Sequence, residues 1–431
     1  MNGISKVALA AALTLGGVAM SGAPALAQKK AAKDQKDAGL KLSPDVLKAA
    51  QAAQTALAAK DANTALPLIA QAEAAAKDDS DKYIVNALKL QAMSIQLQGQ
   101  PGGMTVARER ELLAPIDALI ANPMTPPTDK PRYLYQRGAI SLDLRDYPSA
   151  ISYLGRAKEA GYQDPQLAMQ IVKAKMDSGD VAGGSADLDA AIAAQTANGG
   201  KADEQLYRYA IAKTAQQKLN AQSFGWLKKY VAAYPTAKNW RDAIVTYGLN
   251  PQSLTTTLDK PQKVDLYRLM RSTKSLADQY DYEIYAQWVQ DLGLPYEAKT
   301  VVTEGKAAGK IPASSKGAVD LLKQANATIA SEGSLAPQEA KAKAGSNVRV
   351  IANVGDAYFG SANYPKAIEL YRLALQKGGV DADQVNTRLG MALAMSGDKE
   401  GARAAFAAVK GQPRADVAQL WTLYLDHPPT A

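Results

Sequence analysis

Residues 347–378 read NVRVIANVGDAYFGSANYPKAIELYRLALQKG, and this stretch predicts two short helices folded against each other. The small residues Gly355 and Ala367 stand where the two helices would cross, so that their backbones can approach closely. Tyr358 and Tyr371 then fill the space toward neighbouring helices. A larger side chain at Ala367 would overpack the crossing and cost about 1–3 kcal/mol. One such pair cannot bury its own apolar face, so the stretch predicts further pairs beside it.

A short turn pattern from this stretch recurs along the chain: a polar turn residue is followed four positions later by a small residue. The pairs are Asp61 with Ala65, Asp146 with Ala150, Asp180 with Gly184, Asn363 with Ala367, and Asp398 with Ala402. Asp180 follows Asp146 by 34 residues, and Asp398 follows Asn363 by 35. The turn residues are of the types that cap a following helix, and glycine before them tolerates a positive φ.

The spacing and the residue types resemble the tetratricopeptide repeat family, whose unit is a helix–turn–helix of about 34 residues. With Ile351 at motif position 4, the residue types that the family uses fall at Val354, Gly355, Tyr358, Ala367, Tyr371 and Ala374. The resemblance implies an all-α protein, a right-handed α-solenoid of about ten stacked antiparallel helix pairs.

The quality of the pattern divides the chain. We predict N-terminal helix pairs over 43–121, repeats over 131–238, degenerate helical repeats over 239–345, two clear repeats over 346–412, and a capping helix with a tail over 413–431. The decay over 239–345 leaves two explanations open, erosion of the pattern or a specialised surface. In the tail, one helical face carries the residues that would cover the open edge of the last repeat. They are Val417, Leu420, Trp421, Tyr424 and Leu425.

Residues 1–27 have the composition of a targeting segment. Lys6 precedes an apolar run over 7–20, and a small-residue cleavage site ends at Ala27. We therefore expect cleavage before Gln28, a flexible polar linker over 28–42, and a location in the periplasm of a Gram-negative bacterium. Secretion is the second choice, and a retained N-terminal anchor is the alternative reading of the same segment.

Charge and composition limit the possible chemistry. The formal net charge is +8, or +7 without residues 1–27, which favours acidic partners, although the basic side chains can also be solvated helix faces. The chain has no cysteine, and its single histidine, His427, lies near the C-terminus. Ser-His and Cys-His nucleophiles and His-rich metal sites are thereby nearly excluded. We expect no catalytic, cofactor or metal site, no nucleic-acid partner, and no transmembrane segment after residue 27.

The family resemblance also implies a concave groove lined by the first helix of each pair, in which an extended peptide or a partner helix would lie. Carrying over the groove positions of the motif gives Arg132, Tyr135, Gln136, Arg349, Asp356, Gln384, Thr387 and Arg388. Some members hold a C-terminal carboxylate with an asparagine that this chain replaces by Ala139, Asp356 or Met391. Arginine at the groove would still suit a carboxylate or phosphate.

The leading hypothesis is a non-catalytic adaptor of the cell envelope, binding a protein or peptide in this groove. The alternative is a protein that binds envelope polysaccharide or peptidoglycan. The positive charge and the many tyrosines favour this alternative. An envelope enzyme is a remote third possibility, because no set of converging polar residues stands out in the sequence.

Overall fold

The computed structural model describes residues 41–164, 166–197 and 199–430. Contacts between helices divide the chain into two compact units, unit 1 ending at Ala194 and unit 2 beginning at Gln195. The predicted targeting segment 1–27 lies outside the described residues, as does nearly all of the predicted linker 28–42. The described residues form helices with short connections, so the predicted all-α fold built of helix pairs is confirmed.

Unit 1 is a succession of helix pairs. Its helices are α1 (Pro44–Ala58), α2 (Ala62–Ala75), α3 (Asp79–Gly99), α4 (Val106–Glu109), α5 (Leu113–Ala121), α6 (Lys130–Asp143), α7 (Tyr147–Glu159), α8 (Leu167–Ser178) and α9 (Val181–Thr196). Helix α1 packs on α2, α3 on α5, and α6 on α7. Contacts of α2 with α3, α5 with α6 and α7 with α8 then bury the apolar face that each pair leaves open.

Unit 2 contains the remaining helices. They are α10 (Glu204–Gln216), α11 (Asn220–Ala233), α12 (Ala237–Ile244), α13 (Lys260–Ser272), α14 (Gln279–Asp291), α15 (Pro295–Ala307), α16 (Lys316–Glu332), α17 (Leu335–Ala344), α18 (Val348–Gly360), α19 (Tyr364–Lys377), α20 (Ala382–Ser396), α21 (Lys399–Ala407) and α22 (Arg414–Asp426). A π-helical turn, Val245–Leu249, continues α12. The stretch that predicted the fold forms α18 and α19, which pack on each other as expected.

The recurring turn pattern has the predicted structure. Each of its five polar residues accepts a hydrogen bond from the backbone N–H three positions on, and so caps the second helix of its pair; they are Asp61, Asp146, Asp180, Asn363 and Asp398. The small residues that follow are fully buried where the helices cross. For example, a Cβ placed on Gly184 would lie 2.5 Å from Cγ of Met176. The small size of these residues is therefore a packing requirement.

The C-terminal helix does more than the predicted capping of the last repeat. Helix α22 packs on α20 and α21, as expected, and it also contacts α11 and α13 from the beginning of unit 2. Beyond α22, the carbonyl of His427 accepts a hydrogen bond from Trp240 Nε1 (3.1 Å), and Thr430 N donates to the carbonyl of Pro235 (2.7 Å). Unit 2 is therefore closed on itself, with α22 joining its first and last helices.

Candidate binding faces

The eight predicted groove residues divide between the two units. Arg132, Tyr135 and Gln136 lie on α6 in unit 1. The other five lie on α18 and α20 in unit 2, and they are Arg349, Asp356, Gln384, Thr387 and Arg388. The two sets differ in what surrounds them.

In unit 1, Tyr135 forms an aromatic stack with Tyr162, with ring centroids 4.6 Å apart and an angle of 28° between the planes. Its hydroxyl accepts a hydrogen bond from Gln170 Nε2 on α8 (3.1 Å). Burial, with a further contribution from the charge of Asp164, raises the pKa of Tyr135 to about 12. The phenol therefore keeps its proton at neutral pH and can itself donate a hydrogen bond.

Gln136 is the most unusual residue of this face. Its side chain is 6% exposed, and its amide oxygen Oε1 has no hydrogen-bond partner among the described residues. The amide oxygen of Gln170 lacks a partner in the same way. One turn before Gln136, the guanidinium of Arg132 lies over the ring of Tyr133, 4.9 Å from the ring centroid. The Nε atom of Arg132 also has no hydrogen-bond partner among the described residues. Buried polar atoms without partners are rare and cost about 1–3 kcal/mol each, so these three atoms each call for a partner that the described residues do not supply.

The other end of the same helix face is acidic. Asp143 follows Gln136 by two helical turns, and its charge acts on Glu109 of α4. Burial, together with this repulsion, raises the pKa of Glu109, whose Oε2 has no partner among the described residues. We call the surface formed by these side chains the α6 face, and its members are Glu109, Arg132, Tyr135, Gln136, Asp143 and Gln170.

In unit 2, the predicted residues are engaged with one another. Arg388 Nη1 donates to Asp356 Oδ2, and Tyr371 OH donates to Asp356 Oδ1 (2.7 Å). Thr387 is fully buried and donates to the carbonyl of Asp383. With its amide oxygen turned inward, Gln384 accepts from the Arg388 guanidinium at 2.8 Å.

Arg349 is the exception among the five, since its side chain is exposed and no described residue pairs with it. The Asp356–Arg388 pair is buried, with 5% and 8% of the side chains exposed. Because the two charges already satisfy each other, the pair does not call for a group from a partner. The binding role of all eight residues stays a prediction.

A buried charge network that the sequence analysis missed lies beside this pair. Arg268 donates from Nε and Nη2 to the two carboxylate oxygens of Glu297 (2.9 and 2.6 Å) and from Nη1 to Asp265 (2.9 Å). Tyr285 also donates to Glu297, and Arg414 of α22 donates to the second oxygen of Asp265 (2.8 Å). Burial raises the pKa of Glu297, but Arg268 and Tyr285 lower it by more, so the carboxylate stays ionised.

This network places α13 in the interior of unit 2. From α13, Arg268 also lies over the ring of Phe359 on α18 (4.9 Å), and Ser272 contacts Met395 on α20 (3.4 Å). The charges of Arg268 and Asp265 act on Asp356. The chain's own α13 thus covers the faces of α18 and α20 that were predicted to hold a peptide.

Apart from Arg414, the missed residues belong to the region 239–345, where the repeat pattern decays. Asp265 and Arg268 are three residues apart within an otherwise apolar helical segment, VDLYRLM. A charged pair inside an apolar run is a usable signal, because a helix that is apolar on all sides is buried and its charges must then be paired. From the sequence, solvated helix faces were only one of two explanations for the basic side chains, and buried ion pairs were not considered.

Comparison with known proteins adds little to this geometry. No protein-family model and no curated protein matches the chain. Among solved structures, it is similar to the TPR2AB domain of yeast Sti1 in complex with pHSP90, at 13% identity over 69% of this chain and 98% of that one, with a TM-score of 0.20.

Two further solved structures are similar at the same level. The TPR domain of P58(IPK) matches at 13% identity over 89% of this chain and 99% of that one, with a TM-score of 0.22. Naa15/Naa10 bound to HypK-THB matches at 12% identity over 88% of this chain and 66% of that one, with a TM-score of 0.29. TM-scores this low do not support any inference from these structures about this chain. The repeated helix pairs and capped turns of the chain itself are consistent with a tetratricopeptide repeat protein.

The described residues contain neither a helix suited to crossing a membrane nor a group of side chains suited to binding a metal ion. None of their helices has both the length and the apolar character that crossing a membrane requires. Within the same residues, no three histidine, cysteine, aspartate or glutamate side chains are grouped so that they could hold a metal ion.

Proposed function

We propose that this protein is a non-catalytic scaffold that binds an extended segment of a partner protein on the α6 face of unit 1. The observation that carries the proposal is Gln136, a buried amide on a helix face with no partner for its oxygen. A backbone N–H of a bound segment would supply the missing donor. Because an extended peptide presents an N–H at every second residue on one side, a second N–H could reach Gln170.

The remaining groups of the α6 face suit the same ligand. Tyr162 is half-buried and stacks on the buried Tyr135, so its ring offers a peptide an apolar surface that the stack holds in place. Arg132 at one end and Glu109 with Asp143 at the other give the face opposite charges at its two ends. A partner segment with an acidic residue toward Arg132 and a basic residue toward Asp143 would bind in one direction only.

The proposed location is the bacterial periplasm, with a role in assembly or maintenance of the cell envelope. This part of the proposal is supported by the composition of residues 1–27 alone. Fractionation of cells that produce the protein, with N-terminal sequencing of the mature chain, tests it. A mature N-terminus at Gln28 in the periplasmic fraction is the expected result, and an intact Met1 in the cytoplasmic fraction would contradict it.

The test of the binding face begins with in-cell photo-crosslinking. A photo-reactive amino acid replaces Lys173, which is exposed on α8 near the α6 face, and in a matched control it replaces Lys158, which is exposed on α7. We expect a discrete partner to be trapped from position 173 and not from position 158. Equal trapping from both positions would contradict the assignment of the face.

The partner identified in this way is then measured against two purified variants. Gln136→Leu should weaken partner binding by about 10-fold or more, because the amide oxygen is lost, and should raise the thermal stability of the free protein, because an unpaired buried polar group is removed. The control Gln51→Leu, at an exposed position of α1, should leave binding unchanged. If Gln136→Leu lowers stability and leaves binding intact, Gln136 is a structural residue and the proposal fails.

A further inference from the structure

A cleft of about 730 Å³ opens within unit 2 where α22 packs back on α11. We call it the α11–α22 cleft. One wall is the α11 surface around Phe224 and Lys228, the opposite wall is the beginning of α22 from Gln412 to Gln419, and the rim is formed by the loop residues Thr255, Thr256 and Thr257. Its volume lies within the range of pockets that hold small molecules.

The floor of the cleft is built by the π-helical turn. This turn places Tyr247 so that its ring packs on Phe224, with centroids 5.0 Å apart, and its hydroxyl reaches Asp416 Oδ2 and the carbonyl of Pro413, both at 3.3 Å. The neighbouring Gly248 is held against Leu258, and a Cβ there would lie 2.2 Å from Leu258 Cδ1. The floor is therefore rigid and close-packed, and π-turns of this kind are frequent at functional sites.

Lys228 is the one lysine that lines this cleft, and its charge is not neutralised. Its Nζ lies over the ring of Phe224 at 4.6 Å and donates to the neutral amide oxygen of Gln419 (2.5 Å), and no described carboxylate forms an ion pair with it. Partial burial lowers the pKa of Lys228, and the negative charge of Asp416 offsets part of this decrease.

The nearby carboxylate of Asp416 already has its own donors. Gln412 Nε2 and Gln419 Nε2 donate to Oδ1, at 3.2 and 3.4 Å, and Tyr247 donates to Oδ2. Asp416 is thus held as an acceptor by the wall and the floor, and Lys228 is the one positive charge that lines the cleft. The other polar groups of the cleft, the threonine hydroxyls and the amides of Asn220 and Gln412, are neutral hydrogen-bonding groups.

We propose that the α11–α22 cleft binds a small hydroxylated carboxylate of the sugar-acid type, with its carboxylate on Lys228 and its hydroxyls on the threonine rim and the amides of the wall. A single cation suits a single carboxylate. The neutral hydroxyl and amide groups suit several hydroxyls, and Phe224 and Pro413 supply an apolar side for the ring. This site is separate from the α6 face and does not depend on the partner proposed there.

Calorimetric titration of the purified protein tests the proposal with three probes. D-glucuronate carries both the carboxylate and the hydroxyls, D-glucose lacks the carboxylate, and acetate lacks the hydroxyls. We expect saturable binding of glucuronate and at least 10-fold weaker binding of the other two probes. Absence of glucuronate binding at millimolar concentration would overturn the proposal, as would acetate binding equally well.

A pair of variants assigns the binding to the cleft. Lys228→Met should reduce glucuronate affinity at least 10-fold, whereas Lys299→Met, the same change at an exposed lysine of α15 in the same unit, should leave it unchanged. Equal affinity of Lys228→Met and the unaltered protein would overturn the proposal. Far-UV circular dichroism confirms that both variants are folded.

A comparison of glucuronate with a short acidic oligosaccharide separates two sources of the ligand. If the natural ligand is a free sugar acid, the monomer should bind more tightly. If it is an acidic polysaccharide, the oligomer should bind more tightly.

Discussion

At the scale of single residues, the five capped turns show how much a local pattern decides. In each turn, the residue just before the capping residue has a positive φ, and these residues are Lys60, Arg145, Gly179, Ala362 and Gly397, with φ of 58°, 60°, 97°, 59° and 91°. The sequence analysis foresaw this conformation only at the two glycines. At the other three residues, the left-handed backbone costs about 1–2 kcal/mol. The cap and the helix crossing together outweigh the preference of these residues for a negative φ.

The glycines at helix crossings give the first prediction. A Cβ on Gly138 would lie 2.6 Å from Leu154 Cγ and 2.9 Å from the Leu154 backbone nitrogen, whereas a Cβ on Gly155 of α7 would meet nothing within 4 Å. Gly138→Ala should therefore destabilise the protein by about 1–3 kcal/mol through overpacking. Gly155→Ala should stabilise it by about 0.5–1 kcal/mol, because alanine is the better helix former. Chemical denaturation of the two variants measures both changes, and effects of the same sign would contradict the described crossing.

The second residue-scale prediction concerns pH. Hydrogen bonds from Lys343, Lys366 and Tyr358 lower the pKa of Glu339 from 4.5 to about 2. A carboxylate with a lowered pKa stabilises the folded state above its unfolded pKa, and this stabilisation is lost as the pH falls. Glu339→Gln should therefore lower the melting temperature at pH 6, and the difference from the unaltered protein should shrink as the pH falls from about 4.5 toward about 2. Thermal melts of both proteins at pH 6 and pH 3 measure this difference in melting temperature. A difference of the same size at both pH values would show that the ion pairs of Glu339 do not cause it.

At the scale of elements, α13 is one helix within 239–345 that departs from the repeat pattern for a visible reason. A repeat helix needs one apolar face, and the family pattern records that face. Helix α13 instead contacts α15, α18, α20 and α22 through charged as well as apolar residues, so it is buried on several sides. At α13 the pattern is lost because the helix is part of the interior of unit 2. For the rest of the region, erosion and a specialised surface both stay predictions.

Helix α22 gives the prediction at this scale. Trp421 is fully buried and stacks on Phe406 with ring centroids 6.1 Å apart. Trp421→Ala should destabilise unit 2 by about 3–5 kcal/mol, as expected for a large buried aromatic side chain. Because α22 joins the two ends of unit 2, hydrogen exchange should speed up in α11 and α13 as well as in α20 and α21.

The matched control for this experiment is Tyr280→Ala, which removes an aromatic ring that is 67% exposed. Its effect should stay within about 0.5 kcal/mol. If Trp421→Ala accelerates exchange in α20 and α21 alone, α22 is only the cap that the sequence analysis predicted, and the closure of unit 2 does not depend on it.

At the scale of the whole molecule, the chain forms two compact units, and the predicted groove residues are used differently in each. In unit 1 they stand on a face with unpaired polar atoms, which is the basis of the proposed function. In unit 2, Asp356, Gln384 and Arg388 are paired with one another, and the proposed ligand site is the α11–α22 cleft. The repeat architecture alone would have given both units the same role.

The sequence by itself determined the helix pairs, their turns and their crossings, because each depends on residues less than about 35 positions apart whose sizes and caps can be read directly. It also marked Arg132, Tyr135 and Gln136 as members of one helix face. Only the tertiary structure decided that Asp265 meets Arg414, 149 residues away, and that Trp240 meets the tail at His427. Such contacts join segments that are far apart in the chain, and the spacing of residues within a repeat does not predict them. The closure of unit 2, the covering of its predicted groove and the cleft beside Lys228 all follow from these contacts.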